Sequence, residues 1–212
     1  MEILKVRIDN LSRSEISEKI NTFLSENTFR QIATVNPEFI LKAQKNLEFK
    51  NILNNCDLNV ADGIGIWFAF LRFGKYLKSK IAGIDWMPKI LKIADDRGLS
   101  VFLAARDDGL STWEETRDAI HKIYPKLIIN GTNVNCHSCE SKNPVSNLFV
   151  SALDSRLRGN DNILFCNFGA PYQELFINSI KNDNIRLAMG VGGSFDFLTG
   201  HIKRAPKILR IL

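Results

Sequence analysis

Strand-like and helix-like patterns alternate from one end of this chain to the other, and that alternation constrains the fold more than any other feature. "LKVRI" (4–8) alternates apolar and polar residues and reads as a strand. "SRSEISEKINTFLSEN" follows, with Ile16, Ile20, Phe23 and Leu24 at helical spacing. "RQIATV" (30–35) reads as a second strand, and "NPEFILKAQKNLEFKNILNN" as one long helix. In that helix Asn36 is the N-cap, Pro37 suits the first turn, and Phe39, Ile40, Ala43, Leu47 and Ile52 form the buried stripe. "DLNVADG" (57–63) is a short strand ending in a turn; Ile64, Trp67, Phe68 and Leu71 then mark a helix that stops near Gly74. "GIDWMPKILKIADDRG" is helical, "LSVFLAA" (99–105) a buried strand, and "STWEETRDAIHKIYP" a helix with a capping box from Ser111 to Glu114. The strands "KLIIN" (126–130), "NILFCNF" (162–168) and "IRLAMGV" (185–191) complete the series, with helical "PYQELFINSIKN" between the last two.

This pattern predicts an α/β fold: a Rossmann-like, mainly parallel sheet with helices on both faces. The 212 residues suit a single domain, and no internal repeat or Pro/Gly/Ser-rich linker divides them. Ligands of such folds bind beyond the carboxyl ends of the strands. Three polar or glycine-bearing signals, "TVNPE", "VADG" and "FGAP", fall at predicted strand ends, and "VGGSFD" follows the last strand. Their common position predicts one shared site.

The charge balance narrows the partners. A net charge of +5 admits nucleic acid, anionic lipid and phosphate-bearing substrates. No aromatic-basic motif supports nucleic acid, and no G-x-G-x-x-G near the first strand supports a dinucleotide-binding oxidoreductase. The amino-terminal "MEILKVRIDN" lacks the apolar run of a signal peptide, and no stretch approaches the ~20 apolar residues of a membrane span. A cytoplasmic protein, at most peripheral to a membrane, is expected, with its four cysteines as free thiols. Cys136, His137 and Cys139 fall short of the four ligands a zinc site needs, because Cys56 and Cys166 sit in core-like surroundings.

With those signals placed, the chain resembles the bacterial WecG/TagA/CpsF glycosyltransferases. The resemblance rests on "TVNPEFILKAQKN" (34–46), "NVADGIGI" (59–66), "AGIDWMPKIL" (82–91), "FGAPYQELFI" (168–177) and "GVGGSFDFLTGHIKRAPK" (190–207). It implies an α/β fold with two small lobes around a cleft and a role in cell-envelope polysaccharide synthesis. The implied reaction moves an N-acetylmannosamine-type sugar from a UDP-sugar to N-acetylglucosamine on undecaprenyl diphosphate, with inversion and with neither metal nor cofactor. Contact with the inner face of the membrane and self-association are further implications.

The resemblance also assigns roles. Asp62 matches the catalytic base, which would take the acceptor hydroxyl's proton; the apolar residues after it would raise its basicity. By local sequence alone, Asp62 before Gly63 reads first as a turn former; the four aligned signals and the resemblance reverse that reading. Thr34 and Asn36 match a substrate-binding "T-x-N", and the helix start at Asn36 would attract a diphosphate. Lys80 stands where the family usually has arginine; it would stabilise the departing UDP, though without arginine's planar two-pronged contact. Asp85 matches the aspartate of "AG-x-D" and reads equally as a helix cap. Gln173 would use its amide to donate to one sugar hydroxyl and accept from another. Gly169, Gly190, Gly192 and Gly193 would let the backbone approach a nucleotide, Asp196 would hold ribose or uracil, and Arg204, in the matched basic segment that ends in "RAPK", would bind substrate.

Three places depart from the family pattern. "FLAARDDG" (102–109) lacks a glycine-rich turn, and "GTNVNCHSC" (131–139) lacks an aromatic contact to the nucleotide. "ALDSRLRGND" (152–161) resembles a translated mobile repeat, so an insertion is expected near 140–161, still with helical apolar spacing from Val145 to Leu157. Family members continue past "RAPK" into a basic membrane appendage. Here Leu212 ends the sequence, and a weak anionic-membrane contact is expected from "KILRIL". The alternative reading is a catalytically impaired relative that binds nucleotide or membrane without turnover.

Overall fold

The strands here are runs of β-branched and apolar residues short enough to be buried on both faces, which is what a helix-covered parallel sheet demands. In the computed structural model, which describes residues 1–80, 82–134, 161–181 and 184–203, they form that sheet. The strands are β1 (Glu2–Ile3), β2 (Val6–Arg7), β3 (Arg30–Val35), β4 (Leu58–Ala61), β5 (Ser100–Arg106), β6 (Ile129–Val134), β7 (Asp161–Cys166) and β8 (Leu187–Gly190). The helices are α1 (Arg13–Ser25), α2 (Pro37–Lys45), α3 (Leu47–Asn55), α4 (Ile64–Arg72), α5 (Gly83–Arg97), α6 (Trp113–His121), α7 (Tyr172–Ser179) and α8 (Ser194–Thr199).

Six strands pair in the order β4-β3-β8-β7-β5-β6, every pairing parallel. The expected fold class is therefore observed. One apolar cluster fills the face covered by α1, α5, α6 and α8, with Ile32, Met87, Leu103 and Phe165 among its members. The opposite face packs Ala33, Val35, Phe39, Phe49 and Phe70 near one edge and Phe102, Leu164, Phe176 and Ile177 further along. The chain moves outward from β3 to β4, then crosses to the other half of the sheet for β5 and β6. The sheet's order thus reverses beside β3, and its strand ends open there into a crevice.

Several expectations are corrected. "LKVRI" is not one strand: Leu4 and Lys5 take positive φ (49° and 62°) and turn β1 back on β2, leaving Leu4 exposed. The long helix from Asn36 is two helices. Asn46 closes α2 through its N–H to Lys42 O and caps α3 by accepting from Phe49 N at 3.0 Å. Leu47, placed in the buried stripe, is 72% exposed. In α4 the buried residues are Ile66 and Phe70, whereas Ile64, Phe68 and Leu71 face outward. The capping box of α6 sits one residue on, between Thr112 and Glu115. The strand read at 126–130 begins only at Ile129 and runs on to Val134. Cys136, His137, Cys139, the 145–157 helix and the "KILRIL" segment lie outside the described residues. Cys56 and Cys166 are buried free thiols.

Candidate active site

The register of β3 on β4 determines what meets at the crevice. Thr34 pairs with Val60 and Val35 with Ala61, so one step further Asn36 and Asp62 leave the sheet side by side. The ladder continues into that step, for Asp62 N donates to Val35 O at 2.8 Å. There the two chains diverge. Asn36 caps α2, its Oδ1 accepting from Phe39 N at 3.0 Å. Asp62 is followed by Gly63, whose φ of 84° turns the chain into α4.

A cleft of about 370 Å³ opens over these ends, within the range that holds a small ligand. Thr34, Asn36, Asp62, Gly169, Gln173, Gly192 and Gly193 all line it. Seven of the twelve residues expected at the site are thereby brought together. Four others are described but lie off the lining. Gly190 ends β8 just beneath it. Asp196 sits in the first turn of α8 and accepts from Ser111 Oγ at 2.7 Å. Lys80 is partly buried ahead of α5, and Asp85 is in the first turn of α5, whose N-cap is Ala82. Arg204 lies outside the described residues.

Gln173 and its neighbour organise the floor. The Gln173 side chain is buried, and its Oε1 accepts from both Gly169 N and Gly192 N, each at 3.2 Å. Its Nε2 donates to Glu174 Oε1 at 2.7 Å. One amide thus ties the turn after β7 to the turn after β8. The acceptor oxygen that the sequence offers to a sugar hydroxyl is engaged by these two N–H groups. Gly190 is glycine for a steric reason: a Cβ there would lie 2.3 Å from Gln173 Nε2 and 2.6 Å from Glu174 Oε1. Burial pushes the Glu174 carboxyl up to about 8, offset in part by the Gln173 amide and by Lys42.

Helix starts ring the opening. Residues at the N-termini of α2 (Asn36, Glu38, Phe39) and α5 (Ala82, Gly83, Ile84), and Gly169 and Ala170 leading into α7, all line the cleft. At neither α5 nor α7 does the N-cap residue's side chain accept from the first-turn N–H groups. Such termini carry partial positive charge and favour anions. Gly83 abuts the turn after β8; a Cβ would sit 3.3 Å from Val191 O.

Sequence reasoning missed part of this wall. Glu38 adds a second carboxylate to the lining, paired with Lys42 at 2.6 Å; Lys42 Nζ also donates to Ala170 O. Glu38 stands inside the motif "TVNPE", so its presence was legible but its direction was not. Gly83, Ser194 and Phe197 also contribute. Among the described residues no group of three or more His, Cys, Asp or Glu side chains is placed to hold a metal.

The whole of residues 1–212 matches the glycosyl transferase WecG/TagA/CpsF family. The chain belongs to that family. Curated relatives agree. A Bacillus spizizenii protein named N-acetylglucosaminyldiphosphoundecaprenol N-acetyl-beta-D-mannosaminyltransferase is 29% identical over 94% of this chain and 74% of its own length. Proteins of the same name from Bacillus subtilis (27% identical, 94% and 71% covered) and Staphylococcus aureus MRSA252 (29%, 100% and 80%) are similar to it as well. This member of the WecG/TagA/CpsF family is thus a glycosyltransferase, and the cleft over β3, β4, β7 and β8 is the candidate seat of transfer.

Proposed function

We infer that this glycosyltransferase moves an N-acetylmannosamine-type sugar from a UDP-sugar to N-acetylglucosamine carried on undecaprenyl diphosphate, inverting the anomeric centre. The observation that carries the reading is the placement of Asp62. It leaves the sheet beside Asn36, in a cleft ringed by helix N-termini. The names of the relatives supply the sugar and the lipid-diphosphate acceptor.

In this reading the donor diphosphate lies against the starts of α2 and α5, where backbone N–H groups point at developing negative charge. The acceptor hydroxyl lies against Asp62. As the hydroxyl oxygen forms its bond to the anomeric carbon, its proton passes to the Asp62 carboxylate. The bond from the anomeric carbon to the diphosphate oxygen breaks, and its electron pair leaves with UDP. Lys80, next to α5, and Arg204 are assigned to the departing diphosphate. Asp196, whose Oδ2 would lie 3.6 Å from a Cβ on Gly193, backs the turn assigned to the nucleotide, and Asp85 supports the start of α5.

Asp62→Asn tests the reading. General-base help is typically worth ~10²–10⁴-fold, so transfer of labelled sugar to a lipid-diphosphate acceptor should fall by that factor while UDP binding, measured by calorimetry, persists. Wild-type turnover in Asp62→Asn would remove the base assignment. Wild-type protein that binds UDP and transfers nothing would favour the impaired-relative reading.

A further inference from the structure

Two consecutive polar side chains, Gln173 and Glu174, are buried in the first turn of α7, next to the apolar Leu175, Phe176 and Ile177. Gln173 lines the cleft; Glu174 stands behind it and does not. Stability alone does not account for Glu174. A buried carboxyl is costly unless hydrogen bonds compensate it, and its Oε2 has no hydrogen-bond partner among the described residues. An acid in a first turn suits the helix dipole, but it would do so from the surface as well.

What Glu174 does is choose which way the Gln173 amide faces. The two ends of a glutamine amide are nearly the same size, so donors and acceptors, rather than packing, select between them. On the oxygen side, Oε1 accepts from Gly169 N and Gly192 N at 3.2 Å each, the long end of the normal range. On the nitrogen side, Nε2 donates to Glu174 Oε1 at 2.7 Å, the shortest of the three contacts. Turned over, the amide would set its NH2 group against two N–H donors and its oxygen against the oxygen of Glu174. The Gln173–Glu174 pair lies over Gly190, so no side chain from that end of β8 holds the amide in its place.

We propose that Glu174 is a positioning residue for the transfer site: from behind the cleft it fixes the Gln173 amide so that the amide oxygen holds the Gly169 and Gly192 turns in the geometry that receives the donor. That a nucleotide uses those turns rests on the proposed function; that Glu174 holds them does not.

The test is amide hydrogen exchange, read by NMR on the isotope-labelled full chain at neutral pH. Wild type is compared with Glu174→Met, which keeps the volume and removes the acceptor, and with Glu174→Gln, which keeps the acceptor. Burial pushes the wild-type carboxyl up to about 8, so Glu174→Gln is a close match to the protonated group. In Glu174→Met the Gly169 and Gly192 amides should exchange at least roughly tenfold faster. The remote amides of Asp62, bonded to Val35 O, and Val101, bonded to Ile128 O, should not change. UDP titrated by calorimetry should bind Glu174→Met roughly three- to tenfold more weakly, the worth of one buried hydrogen bond, at unchanged stoichiometry. Glu174→Gln should restore both. Glycine amides as protected in Glu174→Met as in wild type overturn the proposal, and so does a Glu174→Gln variant that behaves like Glu174→Met. Faster exchange of all four amides together, or fewer binding sites at an unchanged Kd, also overturns it, for then Glu174 serves the fold alone. If Glu174→Met does not fold, Glu174→Asp, one methylene short of the amide, takes its place with the same expected outcomes. Failure of wild type to bind UDP counts against the donor reading, and the exchange comparison still decides the role of Glu174.

Discussion

Gly190, Gln173 and Glu174 show how one unsubstituted Cα determines a site it does not line. Gln173 reaches both glycine turns only because nothing projects from Gly190. Gly190→Ala puts a Cβ inside that pair and should cost about 1–3 kcal/mol, the range for overpacking a well-filled interior, together with weaker nucleotide binding; denaturant unfolding and calorimetry report the two effects. Glu174 sets a pH dependence. Its buried carboxyl titrates at about 8 against 4.5 for the ordinary group, burial being the main cause. Between those values the folded chain binds the proton that the unfolded chain has lost. The stabilisation is therefore complete below pH 4.5 and declines as pH rises towards 8, by up to ~1.4 kcal/mol per pH unit. Glu174→Gln keeps an acceptor for Gln173 Nε2 and removes the titration. Urea midpoints of wild type should fall relative to this variant across that window, whereas a constant difference between the two curves would show that Glu174 does not carry the dependence.

At the scale of elements, the order and type of the strands and helices were legible because runs such as "RQIATV" and the Asn36-Pro37 start carry strong local signals. What escaped was phase and punctuation. Helix α4 reads "IGIWFAFLR", apolar nearly all round, so spacing alone could not say which side faces the core; contact with the sheet chose Ile66 and Phe70. Ser111–Glu114 and Thr112–Glu115 are equally good capping boxes on paper. Tertiary contact decided between them, since buried Ser111 is held by Asp196 and Thr199. The turn at Leu4 and Lys5 uses residues that rarely adopt positive φ and gave no signal. Asn46 was read as a mid-helix residue, yet its side chain and its backbone N–H serve two helix ends. Asn46→Ala should therefore cost about 1 kcal/mol, the usual loss for an N-cap. The measurable result is a drop in thermal midpoint of roughly 2–4 °C for a chain of this size, with transfer activity at low temperature retained. An unchanged midpoint would mean that neither helix end depends on that amide.

At the scale of the molecule, the site exists because a parallel sheet sends all six strand ends to one side, and the chain's crossing to β5 leaves the crevice beside β3 open. The motifs at residues 34–36, 62, 169–173 and 190–193 are far apart in sequence, and the sequence could align them only through the shared rule that strand ends hold ligands. It carried Glu38 and Gly83 inside its motifs without showing that they face the cleft, because that depends on how α2 and α5 tilt over the ends. If the ring of helix starts holds a diphosphate, the bound group should stabilise the whole fold through linkage, and the nucleoside alone should not. At a hundredfold excess over its Kd, UDP should add ~2.7 kcal/mol, or roughly 5–10 °C in thermal midpoint at 2–4 °C per kcal/mol. Uridine at the same concentration should add little. Gln173→Leu, which unties the β7 and β8 turns, should shrink the UDP shift. Equal shifts from UDP and uridine would place recognition in the base and ribose rather than at the helix starts. The Asp62 mechanism would then need another source of charge for its leaving group.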